Sequence, residues 1–364
     1  MIHLFFTVSN DLSYDQRMKR ICTSLGMNGF SVSLIGRKLP NSLPLAKEIY
    51  TQYRLTCFFS TGKLFYIEYN IRLFLFLFFK KPDAICAIDL DTILPCYIIS
   101  ELKNIPRIYD AHELFTEMKE VVTRPVIKHF WMGIEKFSVP KFSFGYTVCE
   151  SIAEVFHQRY AVKFKTIRNL PVKNSEVEVP EREDFILYQG AVNESRGLEF
   201  LVPAMKMVDR KLIICGDGNF MSQLKILIHK NKLAEKIILK GMLKPNELKY
   251  YTNKAFIGIS ILENTGLNQY LSLQNKFFDY LNAGLPQVSM NFPEYRKINE
   301  QYEVAFLVDE LDPKKIAEAI NNLIDDKMKY NQLRNNCLLA REEFNWEKEE
   351  KKLIDFYKNI FPNT

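Results

Sequence analysis

Four polar groups stand where a predicted strand gives way to a predicted helix, the positions at which open α/β sheets bind ligands. In YQGAVNESRGLEFLVPAM, Gly190 closes a strand, and Arg196 opens a helix whose apolar positions Leu198, Leu201, Val202 and Met205 follow helical spacing. Backbone N–H groups at a helix start attract anions, and a guanidinium beside them adds a fork of donors matched to phosphate oxygens. The competing reading is an exposed arginine with no role, and Pro203, inside the helix, predicts a kink. KLIICGDGNF places Gly216 and Gly218 after another strand, but Met221 stands where a dinucleotide fingerprint needs its third glycine. A tight strand-to-helix turn is therefore the better reading. RIYDAHELFTE brings Asp110, His112, Glu113 and Glu117 to the end of a third strand. A histidine there suits proton transfer or a hydrogen bond to a substrate hydroxyl, with a carboxylate orienting it; a structural or capping role is the alternative. AIDLDTIL holds Asp89 and Asp91 at a spacing that can present a divalent metal to a diphosphate, although Asp91 reads better as the cap of the next helix. The remaining histidines, 3, 129, 157 and 229, show no ligand spacing with His112, so no metal site is expected.

A fifth stretch, NKFFDYLNAGLPQ, reads as a short helix stopped by Gly284 and Pro286. Phe277, Tyr280 and Leu281 form its apolar stripe, and Lys276 and Asp279, three residues apart, share the other face. Taken alone, that pair is an ordinary solvated face.

The elements that must position these groups alternate short β-rich runs with helical patterns, which predicts an α/β protein with parallel, doubly wound sheets. The 364 residues exceed one ordinary core and fit two domains. The expected boundaries are a first domain over 1–169, a polar, charged linker over 170–184, a second domain over 185–345, and a terminal helix over 346–364. A net charge of +6 favours anionic ligands or an anionic membrane surface, and the absence of a Lys/Arg block argues against nucleic acid. Seven scattered cysteines without CxxC spacing indicate neither a disulfide framework nor zinc and suit a reducing cytoplasm. The N-terminus reads as a first strand and not a signal peptide. NIRLFLFLFFKKPD carries seven consecutive apolar residues, Leu73 to Phe79, between basic flanks. That is too short to span a bilayer, and it leaves a buried helix or a peripheral contact with the inner membrane face as the two readings.

Several segments, in order along nearly the whole chain, resemble the retaining GT-B glycosyltransferases of group 1, or family 4. YQGAVNESRGLEFLVPAM resembles the opening of that family's donor domain, KLIICGDGN its glycine turn, and GMLKPNELKYYTNKAFIGISIL its following helix and strand. NKFFDYLNAGLPQV is similar to K-x-x-E-y-m-a-x-G-x-P-v-v, RIYDAHELFTE to v-y-D-x-H-E-l-f, and SNDLSYDQRMKRICTSLGMNGFSVSLIG, which contains Asp11, to its first loop and helix.

The resemblance implies two Rossmann-like domains facing a cleft, a nucleotide sugar such as a UDP- or GDP-sugar held by the second domain, and metal-independent transfer with retention and no cofactor. It places Arg196 on the donor diphosphate and His112 at the donor sugar as catalytic residues. Gly190, Asn275 and Lys276 fall near the phosphates, Asp279 on the ribose, and Asp110, Glu113 and Asp11 on the acceptor side. It further implies a glycan or lipid-linked acceptor, surface polysaccharide assembly and a terminal helix that crosses back to the first domain. Three positions depart from the pattern: Leu271 replaces the first of two glutamates eight apart, Asp279 shortens the second, and Ala191 replaces an arginine. Glu263 and Asn264 stand as alternative sugar contacts. The competing functions are a nucleotide-sugar epimerase of the same fold and a non-catalytic nucleotide- or sugar-binding partner.

Overall fold

The computed structural model describes residues 1–13, 15–173 and 181–362. Positions 174–180 of the expected linker lie outside the described residues. The chain divides into two compact units, Met1–Asn169 with Glu349–Thr364, and Leu170–Lys348. Each is built on one parallel sheet.

The first sheet contains β1 (His3–Thr7), β2 (Ser31–Lys38), β3 (Thr51–Thr56), β4 (Ala84–Ile88), β5 (Arg107–Ala111), β6 (Phe144–Thr147) and β7 (Lys165–Thr166), in the order β3-β2-β1-β4-β5-β6-β7. The second contains β8 (Phe185–Gln189), β9 (Lys211–Cys215), β10 (Ile237–Gly241), β11 (Ile257–Ser260), β12 (Gln287–Met290) and β13 (Ala305–Val308), in the order β10-β9-β8-β11-β12-β13. Every pairing is parallel. Central strands such as AICAI and FILYQ are buried along their whole length, as sheets covered by helices on both faces require. Strand order reverses between β1 and β4 in one sheet and between β8 and β11 in the other. The carboxyl ends of those strands are where each fold opens a crevice for ligands.

Leu73 and Leu77 of the apolar segment are buried, within a helix that runs over Gly62–Phe78. Among the described residues no helix is long and apolar enough to cross a membrane. Pro203 sits in the last turn of the short Leu198–Ala204 helix, which continues as a 3-10 turn over Met205–Met207. From Glu349 onward the Trp346–Ile360 helix belongs to the first unit. There Tyr357 is fully buried and packs against Phe6, Phe30 and Tyr146.

Candidate active site

In the second unit the site grows from the end of β8. Gly190 turns the chain at φ 110°, and the loop after it lies on the Gly216–Gly218 turn so closely that side chains are excluded. A Cβ on Gly216 would fall 1.8 Å from the Gly190 carbonyl oxygen, and one on Gly218 2.3 Å from that of Val192. Both glycines serve loop-on-loop packing, which agrees with the tight-turn reading. The loop ends with Ser195 at φ 63° and Gly197 at φ 74°, leaving Arg196 half-buried immediately before the Leu198–Ala204 helix. The Ser195 carbonyl accepts 3.0 Å from the Glu263 N–H, so the loop after β11 is tied beside Arg196.

The Asn275–Asn282 helix supplies the other side. Lys276 is not solvated as its helical position suggests: only 8% of it is exposed, and its Nζ lies 3.5 Å from the centre of the Tyr188 ring. Its stem passes Gly190, where a Cβ would sit 3.6 Å from Cε. Among the described residues the buried Nζ has no hydrogen-bond partner. Burial first, and then repulsion from Arg196, pushes its pKa well below the ordinary lysine value, against the opposing pull of Asp279. Asn275 is exposed at the helix start. Asp279 accepts 2.9 Å from the Gln189 amide, whose own oxygen accepts 2.7 Å from the Thr252 hydroxyl. Tyr280 accepts from the Gln189 N–H and donates to the Leu187 carbonyl. The cluster of Gly190, Arg196, Glu263, Lys276 and Asp279 is thus assembled by local packing. Gln189, Thr252 and Tyr280, which sequence reasoning missed, hold its carboxylate in place. Gln189→Leu is expected to lower unfolding free energy by about 1–2 kcal/mol in urea titrations, because it removes two side-chain bonds at a buried position.

In the first unit the candidates separate into two groups. Asp110 is fully buried, and both its oxygens accept from Arg17, at 2.5 and 2.8 Å. That geometry gives it the work of joining β5 to the Gln16–Met27 helix, with no exposed surface for an acceptor. Glu117 likewise pairs with Lys128 and Arg159. Asp11 accepts from the Ser13 N–H and from the Ser13 and Ser42 hydroxyls; these bonds outweigh partial burial and hold its carboxyl below the ordinary value. The second group lies at the switch point. Asp89 closes β4 at φ 56°, accepts from the Glu113 N–H at 3.2 Å, and places a carboxylate oxygen 3.9 Å from His112 Nδ1. Desolvation, with the Arg17 guanidinium second, pushes His112 down to about 3, so it is a neutral hydrogen-bonding ring near pH 7. Its side chain remains 35% exposed. Asp91 is not the helix cap: it sits within a 3-10 turn, accepts from Ser9, and is pushed up to about 6 by burial, while Thr92 occupies the cap position. Among the described residues no group of three His, Cys, Asp or Glu side chains could hold a metal ion.

Residues 172–338 match the family model described as glycosyl transferases group 1. The match covers a little under half of the chain, and over that stretch the sequence is similar to group 1 glycosyltransferases. A 189-residue stretch is 23% identical to an uncharacterized glycosyltransferase of Methanocaldococcus jannaschii and covers 50% of this chain and 46% of that relative, so the match spans about half of each. Sucrose-phosphate synthase from Thermosynechococcus elongatus has the same fold over the full length of both chains, with a TM-score of 0.82 at 15% identity. The Anabaena HepE structure in complex with UDP and glucose matches over 98% of this chain and 100% of its own, with a TM-score of 0.76 at 13% identity. The architecture is GT-B, and the matched segment contains every residue of the Gly190–Asp279 cluster.

Proposed function

We propose that the chain is a retaining glycosyltransferase that moves a sugar, a hexose or its derivative, from a UDP- or GDP-sugar to a glycan or lipid-linked acceptor in surface polysaccharide or glycolipid assembly. The observation that carries this reading is the Lys276 ammonium, almost buried and without a hydrogen-bond partner, next to Arg196 at the carboxyl end of β8. Two cations held together against their mutual repulsion fit an anionic group of more than one charge.

Breaking the bond between sugar and diphosphate builds negative charge on the leaving phosphate. Cations fixed in a dry setting stabilise that charge more than they stabilise the ground state. Arg196 and Lys276 take this role in place of a metal. Asp279, aimed by Gln189, receives the ribose hydroxyls, with Gly190, Asn275 and Glu263 around the donor. His112 contributes a neutral hydrogen bond at the sugar. Seven free cysteines suit a reducing cytoplasm.

Thermal shift against UDP, GDP, ADP and CMP tests the donor site. One nucleotide is expected to stabilise the wild type, by about 2.7 kcal/mol at a hundred times its Kd, and Arg196→Ala and Asp279→Ala are expected to lose the response. Absence of any shift, or equal shifts in the variants, would refute the assignment. Product analysis separates the reactions: a transferase releases nucleotide only with an acceptor extract, an epimerase converts one nucleotide sugar into another without acceptor or net nucleotide release, and a binding partner does neither.

A further inference from the structure

The helix over Gly62–Phe78 turns Phe65, Tyr69, Leu73 and Leu77 into its unit and leaves an equally apolar stripe on the opposite side. Leu64, Ile67, Ile71, Leu75 and Phe78 follow one another at intervals of three or four, each about half exposed, and Phe79 continues the row at 79% exposure. A helix that is apolar all round is ordinarily covered on every side. The charges along this segment are predominantly positive. Between Cys57 and Lys81 stand four cations, Lys63, Arg72, Lys80 and Lys81, and one acid, Glu68. That acid is turned back into the protein, bonded to Arg72 and to the N–H groups of Phe58 and Phe59. The bonds also pin Phe58, 89% exposed, to the helix.

We infer that this stripe is an in-plane docking face for a bilayer rich in anionic lipid. The Leu64–Phe79 row enters the acyl boundary, and Lys63 and Lys81, exposed at either end, meet the headgroups. A second copy of the chain would set Lys63 and Lys81 against their counterparts across a two-fold axis, whereas an anionic surface pairs with both. The helix is about 25 Å long, which suits lying in the interface. The inference rests on the first unit alone and does not depend on the donor site.

Vesicle co-sedimentation of the full chain tests it without any transfer assay. The wild type is expected to pellet with phosphatidylcholine vesicles containing phosphatidylglycerol, less with phosphatidylcholine alone, and less again as salt rises. Ile67→Asp/Ile71→Asp and Lys63→Glu/Lys81→Glu are each expected to weaken binding about tenfold or more. Met328→Asp, which removes an exposed apolar side chain from the second unit, is expected to bind as the wild type does. Thermal melts show that each variant is folded, since all these positions are at the surface. The inference fails if the wild type ignores anionic vesicles or if the Ile67/Ile71 variant still binds them. It also fails if the wild type is a dimer that this variant converts to a monomer, which would make the stripe a self-contact.

Discussion

Lys276→Met is expected to melt at a higher temperature than the wild type while losing its response to nucleotide. An ammonium that is 8% exposed and unbonded is a cost in the ligand-free protein, of the order of 1–3 kcal/mol for an unsatisfied buried polar group. The Tyr188 ring beneath it returns about 0.5–2 kcal/mol. Methionine fills similar space, keeps contact with the ring and removes the charge. The difference favours the variant by about 1 kcal/mol, or roughly 2–4 °C in a unit of this size. The same change removes one of two cations proposed to meet the leaving diphosphate, and loss of such a charge-stabilising group costs about 10²–10³ in turnover. Lys276→Arg restores a cation but not the narrow path past Gly190 and should recover only part of the rate. A purely structural lysine would give the opposite pattern: a lower melting temperature with the nucleotide shift intact. Melting curves with and without nucleotide decide between them.

The parts of the molecule that were legible in the sequence are those where a single local signal suffices. Alternating β and α patterns announced two parallel sheets, because strands buried on both faces are continuous apolar runs. The strands with the weakest apolar signal, β3 and β7, are both at sheet edges. β3 is only partly buried along YRL, and β7 is two residues long, so neither carries an apolar run. The positions of Gly190, Arg196 and Asp279 were readable from motif order. The burial of Lys276 was not, because helical spacing assigns a residue to a face without revealing what covers that face; here the cover is Tyr188 and the loop after Gly190. Gln189 was hidden for a similar reason. A glutamine at the end of an apolar strand looks like a boundary, and its partners, Asp279 and Thr252, are 90 and 63 residues away in sequence. Asp110 shows the converse error. Its place at a strand's carboxyl end suggested contact with substrate, but Arg17, 93 residues earlier, takes both oxygens.

That ion pair supports the second large prediction. Asp110→Asn should cost about 3–5 kcal/mol of stability, read as a lower urea midpoint for the first unit, because it strands a guanidinium that is only 7% exposed. Burial disfavours the charge of Arg17, and in the wild type the Asp110 carboxylate more than compensates and raises its pKa; the variant removes that compensation, and a guanidinium's intrinsic basicity still keeps the stranded group charged. Replacing both partners, as Arg17→Met with Asp110→Leu, should cost less than either single change, since an apolar pair leaves no charge uncompensated. The double variant also reaches the candidate catalytic ring. The His112 N–H donates to the Asp110 carbonyl at 3.1 Å, a backbone bond the substitutions leave in place. Burial is the larger cause of the low His112 pKa and the Arg17 charge the smaller, so removing that charge should raise the value part of the way toward ordinary histidine. An NMR titration of the ring in the double variant reads this directly. An unchanged titration would mean that Arg17 has no influence on His112, and that the pair acts only as a brace between β5 and the Gln16–Met27 helix.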